Sequence, residues 1–415
     1  MQLEQAILVG LNINDDPNFD NSMIELANLA EACEVNVIGT ITQNKEAPTP
    51  NYYVGEGKVQ EIKEAAVALD ADLVIFNDEL SPSHIRNLET ALEIKVIDRT
   101  VLILDIFARR AKTKEAMLQV ELAQAEYFMP RIVGAYKYLS RQKSGTGSKG
   151  PGEQQLELDR RILRDKITKL KHDLKDLVQI RRTQRDKRKK NEVFTVALTG
   201  YTNSGKSTLM NSIIDVSSTH KDKYAFEKNM LFATLETKTR RIHLDNNHIF
   251  LLTDTVGFID RLPHHLIEAF KSTLEEISEA SLILHVIDIS NPNHENQIHV
   301  VEDVLRDIGV SDIPIVHVYN KTDLLKDIPL NSRDHSIFIS AINNYNVPRL
   351  LDLIDFELYK TITKVEMLIP FDKAEIYSEL KENSNVLETE YLDNGIRIVV
   401  ELNNYHFNKY HSFIK

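Results

Sequence analysis

One stretch constrains this chain more than any other: Gly200-Tyr201-Thr202-Asn203-Ser204-Gly205-Lys206-Ser207. It follows the apolar run Val193-Phe194-Thr195-Val196-Ala197-Leu198 and leads into Leu209-Met210-Asn211-Ser212-Ile213-Ile214, which reads as strand, glycine-bounded loop and helix. Phosphate binding needs that order. The loop's backbone N–H groups wrap a β-phosphate while the following helix adds its unpaired N–H groups and the positive end of its dipole. Lys206 is expected to reach the β- and γ-phosphates and Ser207 to hold Mg²⁺, with Thr208 completing the set.

A chain of 415 residues exceeds one ordinary core and suggests roughly two to four domains, and a hydrophobic content of 42% is enough to pack them. No basic-then-apolar leader opens it, and no apolar run approaches the roughly 18 residues that span a bilayer. The expectation is therefore a soluble, cytoplasmic, monomeric protein, with peripheral membrane association left open. Cys33 is the only cysteine, which excludes an internal disulfide and a cysteine-rich metal cluster. The net charge of −12 argues against a nucleic-acid partner until its distribution is read. Between Arg131 and Lys190 there are 19 Lys and Arg against 7 Asp and Glu. One strongly basic segment in an acidic chain points to one polyanion-facing surface.

Residues 1–103 alternate short apolar runs with helical patterns, the signature of a small α/β domain built from parallel units. Within it Gly55-Glu56-Gly57-Lys58 reads as a tight turn into a helix rather than a second phosphate loop. Residues 104–190 form a helical arm. One long helix is expected from about Leu104 to Met129, with Leu118, Leu122, Ala125 and Met129 on one face and Pro130 closing it. A second begins near Glu153, where Leu156, Leu163, Leu170 and Leu177 recur every seven residues with Ile167 and Leu174 between them. This is a coiled-coil seam, and it makes the arm an antiparallel pair with the glycine-rich loop 144–152 at its tip. Tyr136 and Tyr138 before the loop could stack on bases, and Arg181, Arg182, Arg185, Lys187, Arg188, Lys189 and Lys190 suit phosphate contact.

Residues 191–360 form the nucleotide domain, with a mixed sheet. The strand Ile249 to Thr253 delivers Asp254-Thr255-Val256-Gly257, and a later strand ends in Asn320-Lys321-Thr322-Asp323, before Ser340-Ala341. Each motif lies at the carboxyl end of a strand, where open α/β sheets bind ligands. Asp254 is expected near Mg²⁺, and Gly257 lets its N–H meet a γ-phosphate unobstructed. A carboxylate at Asp323 accepts from the N1–H and 2-amino group of guanine, donors that adenine lacks, so GTP and GDP are the expected ligands. Thr234, in a segment without periodicity, is a candidate third Mg²⁺ ligand. Phe258 stands where Ras-like enzymes keep a water-orienting Gln, so unassisted hydrolysis should be slow, and His264 and His265 are nearby candidates for that role. From residue 361 to 415 the chain reads as a small α+β domain with a hairpin at Asp393-Asn394-Gly395.

These motifs together resemble the HflX-type ribosome-associated GTPases. Gly55-Glu56-Gly57-Lys58, Gly150-Pro151-Gly152-Glu153, Asp159-Arg160-Arg161, Leu231-Phe232-Ala233-Thr234-Leu235 and Asp254-Thr255-Val256-Gly257-Phe258 carry the likeness across nearly the whole chain. One departure is Glu236-Thr237-Lys238-Thr239, where that family usually has Asp-Pro-Thr-Thr. The resemblance implies a GTPase that binds the large ribosomal subunit and its rRNA, brings the arm's loop near the peptidyl-transferase centre, and separates stalled or idle ribosomes. Two rival classes are a GTPase of subunit assembly or RNA modification, and a signalling switch with a protein effector.

Overall fold

The structure, a computed structural model, describes residues 3–132, 151–190, 194–217, 238–244, 246, 248–261, 266, 271–310, 312–327, 335–360, 363–402 and 404–415. The chain divides into two compact units.

The first unit takes Met1–Val178 and Ile259–Lys271. Its sheet is parallel in the order β2-β1-β3-β4, from β1 (Glu4–Ile13), β2 (Val35–Lys45), β3 (Leu73–Phe76) and β4 (Lys95–Asp98). The unbroken apolar runs of β1 and β3 fit the two central strands, which are buried on both faces. α2 (Glu56–Ala68) and α3 (Pro82–Leu92) bring Val59, Ile62, Leu88 and Leu92 against Ile7, Val9, Val74 and Phe76. α1 (Phe19–Ala32) packs with α4 (Arg99–Arg110). Gly55 is the N-cap of α2 and Lys58 pairs with Glu61 at 2.7 Å, so Gly55-Glu56-Gly57-Lys58 is a turn into a helix.

The single helix expected from Leu104 to Met129 is in fact two, α4 and α5 (Lys114–Phe128). Ala111 turns to extended backbone, and the Thr113 hydroxyl then accepts the Ala116 N–H at 3.2 Å as a new N-cap. Between Phe107 and Ala116 the apolar residues are Ala108 and Ala111, so the apolar pattern thins at the break, where Lys112 to Glu115 are all polar. α5 is tied back to the sheet at its end. The Tyr127 hydroxyl donates to Asp98 Oδ2 at 2.6 Å, and the Arg131 guanidinium lies 3.4 Å over the Tyr127 ring while donating to Leu80 O at 2.8 Å. Burial raises the Asp98 carboxyl pKa, and the bonds from Tyr127, Leu80 and Val101 oppose that rise.

α6 (Pro151–Lys190) has 40 residues, about 60 Å of helix. Its Ile167 and Leu170 pack on Leu122 and Ala125 of α5, with Leu118, Leu163, Leu174 and Met129 at the margins. Lys166 to Glu121 at 2.6 Å and Lys171 to Glu126 at 2.7 Å flank this seam. Because the two pairs advance together, α5 and α6 run parallel, not antiparallel as expected: α5 ends against the sheet, where Tyr127 and Arg131 are bonded, instead of climbing toward the loop 144–152. The loop 144–152, Tyr136 and Tyr138 lie outside the described residues, as do the side chains of Leu156 and of the basic run from Arg181 to Lys190.

The second unit holds a six-stranded sheet in the order β10-β9-β8-β5-β7-β6. Its strands are β5 (Phe194–Thr199), β6 (Lys238–His243), β7 (Ile249–Asp254), β8 (Leu282–Asp288), β9 (Ile315–Asn320) and β10 (Ser336–Phe338). All pairs are parallel except β6 with β7, so the sheet is mixed. β6 falls in a stretch that carries no periodic signal. It is a polar edge strand, Lys-Thr-Arg-Arg-Ile-His, with only Ile242 fully buried. α7 (Lys206–Val216) and α10 (Val347–Tyr359) cover one face, where Leu209, Ile213, Leu350 and Ile354 meet Leu198, Leu252 and Leu284. Among the described residues, α8 (Lys271–Ser278) and α9 (His294–Asp307) are the other α-helices between β5 and β10. The same unit ends in an antiparallel sheet ordered β11-β13-β12, from β11 (Thr363–Ile369), β12 (Asn385–Leu392) and β13 (Gly395–Leu402). α11 (Ala374–Asn383) packs Leu380 on it, and α12 (Asn404–Lys409) follows.

Candidate functional site

β5 is the central strand from which the larger sheet grows both ways. The chain goes first to β6 and β7 on one side and then to β8 on the other, so the end of β5 is a topological switch point. Gly200 begins the loop there at φ +145, in a space where a Cβ would strike the Val286 carbonyl. Gly205 ends it at φ +94, where a Cβ would meet the Asn320 amide. Side chains are excluded at both turns by conformation and by contact. Asn203 also sits in the left-handed region, at φ 60.

Lys206 opens α7 and is buried. Its Nζ donates to Gly200 O at 3.1 Å and to Tyr201 O at 2.7 Å, so the ammonium lies across its own loop. Burial pushes its pKa down to about 8, Lys321 adds to that shift, and Asp254 opposes it. An anion in the loop would stabilise this charge. The Thr202 and Ser204 hydroxyls are buried in the loop without a hydrogen-bond partner among the described residues.

β7 ends in Asp254, fully buried, which accepts from Ser207 Oγ at 2.7 Å. Thr255 Oγ1 donates to Leu198 O at 2.7 Å and locks the ends of β5 and β7 together. Val256 is buried beside them. At Gly257 a Cβ would come within 3.0 Å of both Lys206 Nζ and Thr202 Cα. Phe258 then bridges to the loop: its N–H donates to Gly200 O at 3.1 Å, and its carbonyl accepts from Thr202 at 2.7 Å. The phenyl ring is buried and takes no part at a water-exposed position.

β9 ends in Asn320, whose amide joins two motifs. Nδ2 donates to Ser204 O at 3.0 Å, and Oδ1 accepts the Ala341 N–H at 3.0 Å. Lys321, at φ 66, extends to Asp288 Oδ2 at 2.7 Å. Asp323 accepts from Ser340 Oγ at 2.5 Å, which orients its carboxylate. The chemistry is thus an anion-binding loop, a hydroxyl–carboxylate pair and a fixed carboxylate presented for paired N–H donors.

Of the residues singled out from the sequence, the loop, Asp254 to Gly257, Asn320 to Asp323 and Ser340-Ala341 come together at one end of the sheet. Thr234, His264 and His265 lie outside the described residues. Asp288 was not anticipated, although its place at the carboxyl end of β8 is a signal of the same kind as that of Asp254. The Ser207 hydroxyl and Asp254 carboxylate are hard oxygen donors, already adjacent, which is the chemistry that Mg²⁺ prefers. Among the described residues no cluster of three or more His, Cys, Asp or Glu could hold another metal, and no helix is long and apolar enough to cross a membrane.

Three family models match in succession: a GTP-binding GTPase N-terminal region over residues 20–108, a GTP-binding GTPase middle region over 110–188, and a 50S ribosome-binding GTPase over 195–321. GTPase HflX of Caldanaerobacter subterraneus is 47% identical over 400 residues, 96% of this chain and 91% of that protein. The chain belongs to the HflX family of GTPases. GTPase HflX of Escherichia coli is 40% identical over 396 residues, 94% of this chain and 91% of that one. A GTP-binding protein from Sulfolobus solfataricus, solved in complex with GDP, is 25% identical with a TM-score of 0.44, covering 86% of this chain and 99% of its own. As a member of the family the chain binds guanine nucleotides and hydrolyses GTP.

Proposed function

We propose that this GTPase binds the large ribosomal subunit and uses its GTP-bound form to split stalled or idle ribosomes into subunits, with hydrolysis stimulated by the ribosome. The observation that carries the reading is the arm, a 40-residue helix in the most basic stretch of an acidic chain. rRNA is bound largely through backbone charge and shape, which such a surface suits. The family model over residues 195–321 is described as a 50S ribosome-binding GTPase, which supports the same partner.

In this reading residues 200–208 cradle the α- and β-phosphates with backbone N–H groups, and Lys206 exchanges its loop carbonyls for β- and γ-phosphate oxygens. Asp323, steadied by Ser340, reads guanine, while Asn320 holds the base loop against the phosphate loop. Ser207 and Asp254, joined by Thr234, would hold Mg²⁺. When bound, that ion neutralises charge on the β- and γ-phosphates. The Gly257 N–H meets the γ-phosphate. Phe258, buried against the loop, orients no water, so unassisted turnover stays on the order of 10⁻⁴ s⁻¹, the scale of a Ras-like site without its activator. The loop 144–152 acts at the arm's tip.

Sucrose-gradient sedimentation of intact ribosomes with the protein and a non-hydrolysable GTP analogue tests this, together with phosphate release with and without large subunits. Separated subunits and faster release are expected. Ribosomes that stay intact, or equal release rates, would remove the reading, and association with precursor particles alone would favour a role in assembly.

A further inference from the structure

The strand order of the larger sheet sets the track that a nucleotide must follow. β8 lies between β9, whose end carries Asn320 to Asp323, and β5, whose end carries the phosphate loop. A nucleoside that reaches Asp323 with its base and the loop with its phosphates therefore crosses the carboxyl end of β8. Asp288 is the last residue of that strand and the register partner of Asn320. Both oxygens of its carboxylate are engaged. Oδ1 accepts the Ser290 N–H at 3.1 Å and the Ser290 hydroxyl at 2.6 Å, while Oδ2 accepts from Lys321 Nζ at 2.7 Å. Lys321 starts in the base loop and ends at β8, so its four-carbon stem lies across the crossing point.

The backbone of Lys321 is set as firmly as its tip. It has φ 66, a left-handed conformation that costs a non-glycine residue energy and persists only where surroundings hold it. On one side Asn320 is bonded to Ser204 and Ala341, and on the other Thr322 donates to Ile339 O from its N–H at 3.2 Å and from its hydroxyl at 2.9 Å. The side chains of Asp288 and Lys321 are only 14% and 22% exposed. A plain turn after β8 does not account for this arrangement. The turn uses Oδ1 alone, and Oδ2 is left to serve Lys321. A lysine stem is among the most flexible of side chains, and ordering one during binding weakens affinity. Here it is ordered before a ligand arrives.

We propose that Asp288 is a positioning residue for the nucleotide, anchoring Lys321 across the end of β8 so that the lysine stem forms a fixed apolar floor beneath the nucleoside. The inference rests on the assignment of Asp323 to the guanine base made above. Asp288 touches no ligand atom in this role and acts through Lys321. Its contribution belongs to the nucleoside half of the ligand, and the phosphates do not share in it.

Equilibrium titration of the full-length protein with fluorescent GDP, and with inorganic tripolyphosphate as competitor, provides the test. Asp288→Asn keeps an oxygen for Ser290 and loses the anchor for Lys321. It is expected to weaken GDP about three- to tenfold and to leave the dissociation constant of tripolyphosphate unchanged, since that anion has no nucleoside to rest on the floor. Lys321→Met keeps an unbranched apolar stem without the charge, so in that background Asp288→Asn should weaken GDP no further. An equal loss for tripolyphosphate, no loss of GDP affinity in Asp288→Asn, or an undiminished loss in the Lys321→Met background would overturn the proposal. The base assignment fails separately: if Asp323→Asn leaves the preference between GDP and XDP unchanged, that assignment is removed, and this inference with it.

Discussion

Replacing Asn320 by Ala separates two roles that a guanine-loop asparagine can have. Its amide makes two buried bonds of 3.0 Å, to Ser204 O in the phosphate loop and from Ala341 N–H in the base loop, and the residue is 2% exposed. Ala would leave both backbone groups without that partner, and each such loss costs about 1–2 kcal/mol, so unfolding stability should fall by roughly 2–4 kcal/mol. Both bonds exist before any nucleotide arrives. The affinity penalty is therefore only the cost of re-ordering the loosened loops, about 1–2 kcal/mol or roughly five- to thirtyfold. It should be equal for GTP and GDP, because neither bond concerns the γ-phosphate. Urea unfolding and fluorescent-nucleotide titration of the same variant read the two quantities. A stability loss below about 1 kcal/mol combined with a hundredfold loss of affinity would refute the argument, and would make Asn320 a direct base contact.

Asp323→Asn should turn base preference from guanine toward xanthine, because an amide N–H can donate to the carbonyl that xanthine carries at the position of the 2-amino group; competition between GDP and XDP checks this. GDP affinity should fall as pH rises past about 8, where burial has set the free-protein pKa of Lys206. Binding restores the ammonium, so a proton is taken up on the alkaline side, and affinity drops by up to about tenfold per pH unit; a flat profile from pH 7 to about 9 would contradict that environment for Lys206.

Much of the fold was legible because its signals are local. Continuous apolar runs at Ile7 and Leu73, turn residues at Asp393-Asn394-Gly395 and the strand–loop–helix order around Gly200 are short-range patterns with one physical cause each. The gathering of the loop, Asp254 to Gly257, Asn320 to Asp323 and Ser340-Ala341 at one end of the sheet was legible for a related reason: each stands beyond the carboxyl end of a strand, and strand ends can be read from the sequence. What escaped has the opposite character. The break between α4 and α5 is marked only by the short polar run Lys112 to Glu115 and by one capping hydroxyl, Thr113, and neither by itself stops a helix. β6 is an edge strand of mostly polar, half-buried residues, so it has neither alternation nor an apolar run to announce it.

The contacts that could not be read are those between charged groups far apart in the chain. Arg261 and Asp16 are 245 residues apart, and neither stands in a motif or a periodic pattern. A guanidinium in a sequence is most often a solvated surface group, and nothing local distinguishes one that will find two carboxylates. What singles out Arg261 is its backbone conformation, φ 54, together with two carboxylates, Asp16 and Asp78, that follow neighbouring strands. Asp98 and Arg99 show the same principle: as neighbours at the end of β4 they face different partners, Tyr127 and Arg131 at the root of the arm for one, the Asp260 carbonyl for the other. The end of one short strand thereby holds both the base of the arm and the segment that follows Gly257.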